Sequence, residues 1–231
     1  MKAKMEVKRV LNKLWHLGKC SDIYMFHHVT TQPEKLLSLT LETDAFLRFL
    51  DRPHTYASLA QTMEDKDYPG LCAITFDDGL QDAYTVAYPA LKERKIPFTL
   101  FVSSGFVGEP GYLSKDQLLE LAADPLCTVG AHGTRHRVLT QVGEAERREE
   151  IFGSKDALQQ LLGKEVSVYA YSNGRYDEEV LAMMREAGYK AACAVAGRPL
   201  NRQFDLGPYA YLGILKGRER FGFCTGTVYL L

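Results

Sequence analysis

Three short stretches of this 231-residue chain gather residue types that can do chemistry. The first is Thr75-Phe76-Asp77-Asp78-Gly79, which closes the apolar run Leu71–Ile74. Two adjacent carboxylates at the end of a buried strand repel each other, and one cation would satisfy both. The simpler alternative is a turn at Asp78-Gly79 with Asp77 capping the next helix. The second stretch is His132-Gly133-Thr134-Arg135-His136, directly after the run Thr128–Ala131. Histidines four residues apart can present both imidazoles on one face of a helical turn, where they could bind one cation together with a carboxylate. The third is His27-His28, in the run Ile23–Val29. Side chains alternate across a strand, so at most one of these two faces a shared site. Only His16 and His54, of six histidines, lie outside these clusters. One carboxylate with two imidazoles is a hydrolytic metal set with positions open to water, and the spare carboxylate and spare imidazole supply a base and an acid.

Such residues converge only if strand ends carry them to one place. Strand-like runs lie at Ile23–Val29, Leu71–Phe76, Phe98–Val102, Thr128–Ala131, Val166–Ala170, Ala191–Ala196 and, more weakly, Tyr209–Leu215. Helix-like runs lie near Asp44–Leu50, Asp82–Arg94, Lys115–Ala123, Glu144–Leu162 and Asp177–Ala187, and Ser114 with Gln117 forms a capping box. This alternation without a linker predicts βαβ units, a parallel sheet and one α/β domain over residues 21–231. Seven strands suit a barrel better than an open sheet, and either architecture gathers its functional residues at the C-terminal strand ends.

Composition excludes other classes of function. With 28 Lys and Arg against 29 Asp and Glu, the chain lacks the cationic field with which nucleic-acid binders release counterions. No apolar run reaches the roughly 18 residues needed to cross a bilayer. The start lacks the apolar stretch and cleavage site of a secretory signal, so the expected compartment is the cytoplasm. Five widely spaced cysteines, none in a Cys-x-x-Cys pair, read as free thiols. Residues 1–19 carry six basic residues against the single Glu6, with Val7, Val10, Leu11, Leu14 and Trp15 at helical spacing and Gly18 where a cap would stand. Residues 1–20 are thus expected to form a basic amphipathic helix. It would pack its apolar stripe on the domain or lie on an anionic membrane surface, which would put the protein at the inner membrane face.

These motifs resemble the polysaccharide deacetylases of the NodB homology type, carbohydrate esterase family four. Residues 75–79 match the family's Thr-Phe-Asp-Asp-Gly signature and residues 132–136 its His-x-x-x-His signature. Pro97–Val102 resembles the strand that follows the first motif, and Tyr169–Asp177 resembles the aromatic-Pro-Tyr-Gly segment, with Ser172-Asn173 in place of Pro-Tyr and Gly133 where the histidine motif has Ser or Thr. The resemblance implies a distorted (β/α)7-type barrel and a metal-dependent amidase that removes acetyl from an N-acetylated sugar or polysaccharide. It implies Asp77 as general base, Asp78, His132 and His136 as ligands of a divalent metal expected to be zinc, and the Asn173 N–H as part of an oxyanion hole. No histidine follows His136, where the family's acid normally stands. Ile23–Val29 instead resembles the Tyr-His-x-Val segment of a permuted branch acting on poly-N-acetylglucosamine, in which that histidine comes first, and this assigns the acid to His27. Tyr112, Tyr171 and Tyr176 are candidate sugar-stacking rings. The arginine that pairs with the base in many relatives has no clear equivalent here, which leaves a metal-retaining glycan-binding domain as the alternative function.

Overall fold

The computed structural model describes residues 22–32, 39–64 and 71–195, together with two later strands. The expected helix over residues 1–20, and any membrane contact through it, lie outside the described residues. Among the described residues, no helix is long and apolar enough to cross a membrane.

The strands are β1 (Asp22–Phe26), β2 (His28–Thr30), β3 (Thr40–Glu42), β4 (Thr55–Tyr56), β5 (Leu71–Phe76), β6 (Phe98–Val102), β7 (Cys127–Ala131), β8 (Val168–Ala170), β9 (Ala191–Val195), β10 (Tyr211–Ile214) and β11 (Gly226–Leu230). The main sheet runs β10-β1-β5-β6-β7-β8-β9-β11, with β4 beside β5, and it is parallel except where β11 joins β9 antiparallel. Helices are α1 (Thr43–Leu50), α2 (Leu59–Glu64), α3 (Tyr88–Glu93), α4 (Lys115–Ala123), α5 (Glu144–Arg148), α6 (Ser154–Leu162) and α7 (Glu178–Glu186). The fold is α/β, and the expected barrel takes the form of a curled half-barrel sheet of parallel strands flanked by helices.

The strands read as near-continuous apolar runs because both faces of a parallel sheet are covered. Period-two alternation sorts them. Phe26, Ile74, Phe76, Phe98 and Leu100 join α1 and α3 in the larger core, whereas Ile23, Met25, Ala73, Phe101, Val168, Ala170, Ala191 and Cys193 pack together in a second cluster. Phe49 of α1 is fully buried, with ring centroids 4.8 Å from Tyr24 and 5.4 Å from Phe26. Phe49→Ala is therefore expected to cost about 3–5 kcal/mol of stability, measurable by urea denaturation.

Two helical regions differ locally from the pattern read in the sequence. The run Asp82–Arg94 begins with a wide π turn at Ala83–Ala87, and Glu144–Leu162 is interrupted by another at Glu149–Gly153. The run Ile23–Val29 is two strands, not one. β5 pairs with β1 as far as Phe76↔Phe26 and then enters the Asp77-Asp78-Gly79 turn. Without that partner the chain leaves the sheet at His27, and β2 pairs with β3.

Candidate active site

The parity of the second cluster extends past the strand ends. Asp77 continues the side of β5 that holds Ala73 and Thr75, His27 that of Ile23 and Met25, and His132 that of Gly130. The Asp77 N–H donates to the Phe26 carbonyl at 2.9 Å, which carries the β1–β5 register one step further and sets His27 opposite Asp77. The His132 N–H donates likewise to Val102 at 2.9 Å, joining the ends of β6 and β7.

Backbone strain concentrates at this rim. Four non-glycine residues among those described have left-handed φ, and three of them are Asp78 (71°), His136 (57°) and Asn173 (55°). That conformation costs an L-residue roughly 1–2 kcal/mol and persists only where the surroundings enforce it. At Asp78 it turns the second carboxyl out of the strand direction, so that Asp77 is buried while Asp78 reaches the histidines. Gly79 follows at φ 76°, with Val102 so close that a Cβ would be 3.1 Å from its Cγ1.

Asp78 Oδ1 lies 3.4 Å from His132 Nε2 and 3.5 Å from His136 Nε2, and the three ligand atoms fall within 4.8 Å of one another. Tetrahedral ligands about 2.0–2.1 Å from a zinc ion are about 3.4 Å apart, so the set fits a small divalent cation. His132 Nδ1 is 2.7 Å from the Ala170 carbonyl oxygen. A carbonyl only accepts, so Nδ1 carries the proton and Nε2 presents its lone pair to the site. The sequence motif suggested a helical turn for residues 132–136, but the segment is an irregular loop. Left-handed φ at Gly133 and His136 breaks the helical path, and the loop still brings the two imidazole centroids to 4.7 Å.

The electrostatics separate the two aspartates. Burial pushes the Asp77 carboxyl up, opposed by the charges of His132 and His27. Burial also acts on Asp78, but the neighbouring imidazoles of His132, His27 and His136 outweigh it and bring that carboxyl down to about 2. Oδ1 of Asp77 is buried without a hydrogen-bond partner among the described residues. His28 points elsewhere: its Nδ1 is 2.7 Å from Asp82 Oδ2, and that bond raises its pKa against the effect of burial.

Of the other expected residues, Asn173 stands exposed on the turn Ser172–Gly174 after β8, at the same end of the sheet. Tyr171 is buried, with its ring stacked on Tyr176 at 5.0 Å and tilted against Tyr169, and so it supports that turn from within the core. Tyr112 is half-buried, lies 4.9 Å from the Phe106 ring and feels the charge of Asp78. Sequence reasoning missed Phe106, whose place beside Tyr112 depends on the loop between β6 and α4. It also missed Glu150, a buried acid whose spacing from the histidine motif carries no signal of contact.

Residues 64–192 match the sequence profile of the polysaccharide deacetylase family. YxkH of Bacillus subtilis (strain 168) is 30% identical over 154 residues, 67% of this chain and 54% of that protein. The poly-beta-1,6-N-acetyl-D-glucosamine N-deacetylase of Staphylococcus aureus (strain MSSA476) is 29% identical over 130 residues, 51% of this chain and 45% of that enzyme. Among solved structures, IcaB from Ammonifex degensii superposes with a TM-score of 0.64 at 26% identity, covering 76% of this chain and 83% of that one. This chain spans about half the length of the curated relatives it matches. The profile match covers more than half of the chain, including both the Asp-Asp turn and the histidine loop, and the chain belongs to the polysaccharide deacetylase family.

Proposed function

We propose that this chain is a metal-dependent carbohydrate N-deacetylase that hydrolyses the acetamide of an N-acetylated sugar or polymer, with zinc as its ion. The observation that carries this reading is the pairing of an Asp78, His132 and His136 donor set with a second, buried carboxyl at Asp77 and a histidine opposite it. A cation held by Asp78, His132 and His136 would polarise the acetamide carbonyl and acidify a water beside it.

Asp77 takes the proton of the attacking water as that water adds to the carbonyl carbon, its unpartnered Oδ1 being the acceptor. His27 gives a proton to the sugar nitrogen as the C–N bond breaks, so that acetate and a free amine leave. His27 is near enough to the reacting groups for its charge to act on Asp77, Asp78 and His136. The Asn173 N–H would stabilise the developing oxyanion, and Phe106 with Tyr112 offers a ring surface for the sugar.

His27→Ala is expected to lower turnover by about 10²-fold or more with metal retained, whereas His28→Ala, which loses only the Asp82 pair, is expected to keep turnover near that of wild type. The reverse order in steady-state kinetics would transfer the acid role to His28. Substrate class is tested by acetate release from a panel of N-acetylated glycans, including β-1,6-linked N-acetylglucosamine oligomers of the kind named for the staphylococcal relative. Glycan binding without acetate release from any of them would favour the binding-domain alternative.

A further inference from the structure

We propose that Glu150 is the positioning residue of the histidine loop: its buried carboxyl holds His136 against Asp78 by accepting three backbone N–H groups of that loop. The inference rests on reading Asp78, His132 and His136 as a metal site. Asp77 and Glu150 are the only buried carboxylic acids among the described residues, and Asp77 already has a place in the chemistry. Glu150 lies in the wide turn between α5 and α6, where the helix opens by one residue. From there Oε2 accepts the N–H of Thr134 at 3.0 Å and of Arg137 at 3.2 Å, while Oε1 accepts the N–H of Arg135 at 2.8 Å. These donors flank His136 on both sides. The segment forms no regular structure, so its N–H groups lack the partners that a helix or strand would supply, and a buried N–H left unpaired is costly.

Gly133 belongs to the same contact. Its φ is 80°, and a Cβ there would collide with Glu150 Oε2. The carboxyl thus fills the space into which a side chain at position 133 would project, and the glycine is required on both counts. The acid is equally specific. A carboxyl group has acceptors at both oxygens, whereas an amide turns one of them into a donor, so in E150Q at least one loop N–H must face another N–H. Ser103 Oγ–H to the His132 carbonyl at 3.1 Å, Ser104 N–H to Gly133 at 3.0 Å and Gly105 N–H to Thr134 at 2.9 Å tie the loop to the segment after β6. These contacts act on residues 132–134, and among the described residues only Glu150 accepts N–H groups on both sides of His136.

Zinc affinity of the full chain, measured by competition with a chromophoric chelator, tests the assignment. E150Q is expected to bind Zn²⁺ about 10- to 100-fold more weakly than wild type, with an unchanged far-UV circular dichroism spectrum and with turnover that recovers as Zn²⁺ is raised. Y189F is the comparison. The Tyr189 hydroxyl donates to the Ile151 carbonyl at 3.0 Å, so its loss loosens the same wide turn without touching the loop. Wild-type zinc affinity is expected in Y189F. Wild-type affinity in E150Q, or equal losses in E150Q and Y189F, overturns the proposal. Should E150Q not fold, G133A displaces the same carboxyl and is expected to weaken zinc binding comparably, and unchanged affinity there overturns the proposal as well. A wild-type chain that takes up no Zn²⁺ overturns instead the metal-site reading beneath it.

Discussion

Asp77→Asn is expected to lower turnover by about 10²–10⁴-fold while the protein keeps its full metal content. The substitution is nearly isosteric, and Asp77 lies outside the donor set formed by Asp78, His132 and His136. What changes is proton affinity. A buried carboxylate with an unpartnered oxygen can take a proton from water, and an amide cannot. Its surroundings favour that role, because burial raises the proton affinity of Asp77. Steady-state acetate release and elemental analysis on one preparation check both halves. An active Asp77→Asn enzyme, or one stripped of metal, would show that the two aspartates do not divide the work as assigned.

The second large effect is on metal content. Removing two of three donors leaves Asp78 alone on a partly exposed rim, so the His132→Ala/His136→Ala double variant is expected to purify with almost no bound metal and wild type with one ion per chain. Asp78→Asn is expected to share this phenotype in weaker form, because a neutral amide is a poorer ligand than a carboxylate held down at about 2. Equal metal content in wild type and the double variant would remove the donor set from consideration.

Much of this was legible in the sequence because it is local. The apolar runs specify β5 to β9, the capping box at Ser114 and Gln117 forms as expected, and an Asp-Asp-Gly after a buried strand can hardly avoid placing carboxylates at its end. What the sequence hid depends on partners far along the chain. The helical turn expected at 132–136 is broken by left-handed φ at Gly133 and His136, and Glu150, beyond the end of that loop, accepts the N–H groups of Thr134, Arg135 and Arg137 instead. The strand expected through Val29 ends at Phe26 because β5, its partner, stops at Phe76. Tyr171 and Tyr112 look alike as candidate rings, and only tertiary packing buries the first and leaves the second beside Asp78.

Metal dependence of acetate release tests the central reading most directly. The purified chain would be stripped with a chelator, dialysed, and assayed on N-acetylated glycans before and after one equivalent of Zn²⁺ is restored. Release that disappears on stripping and returns with zinc in wild type, but not in the His132→Ala/His136→Ala variant, is the expected result. Release that persists in the stripped protein, or returns equally in the double variant, would contradict it.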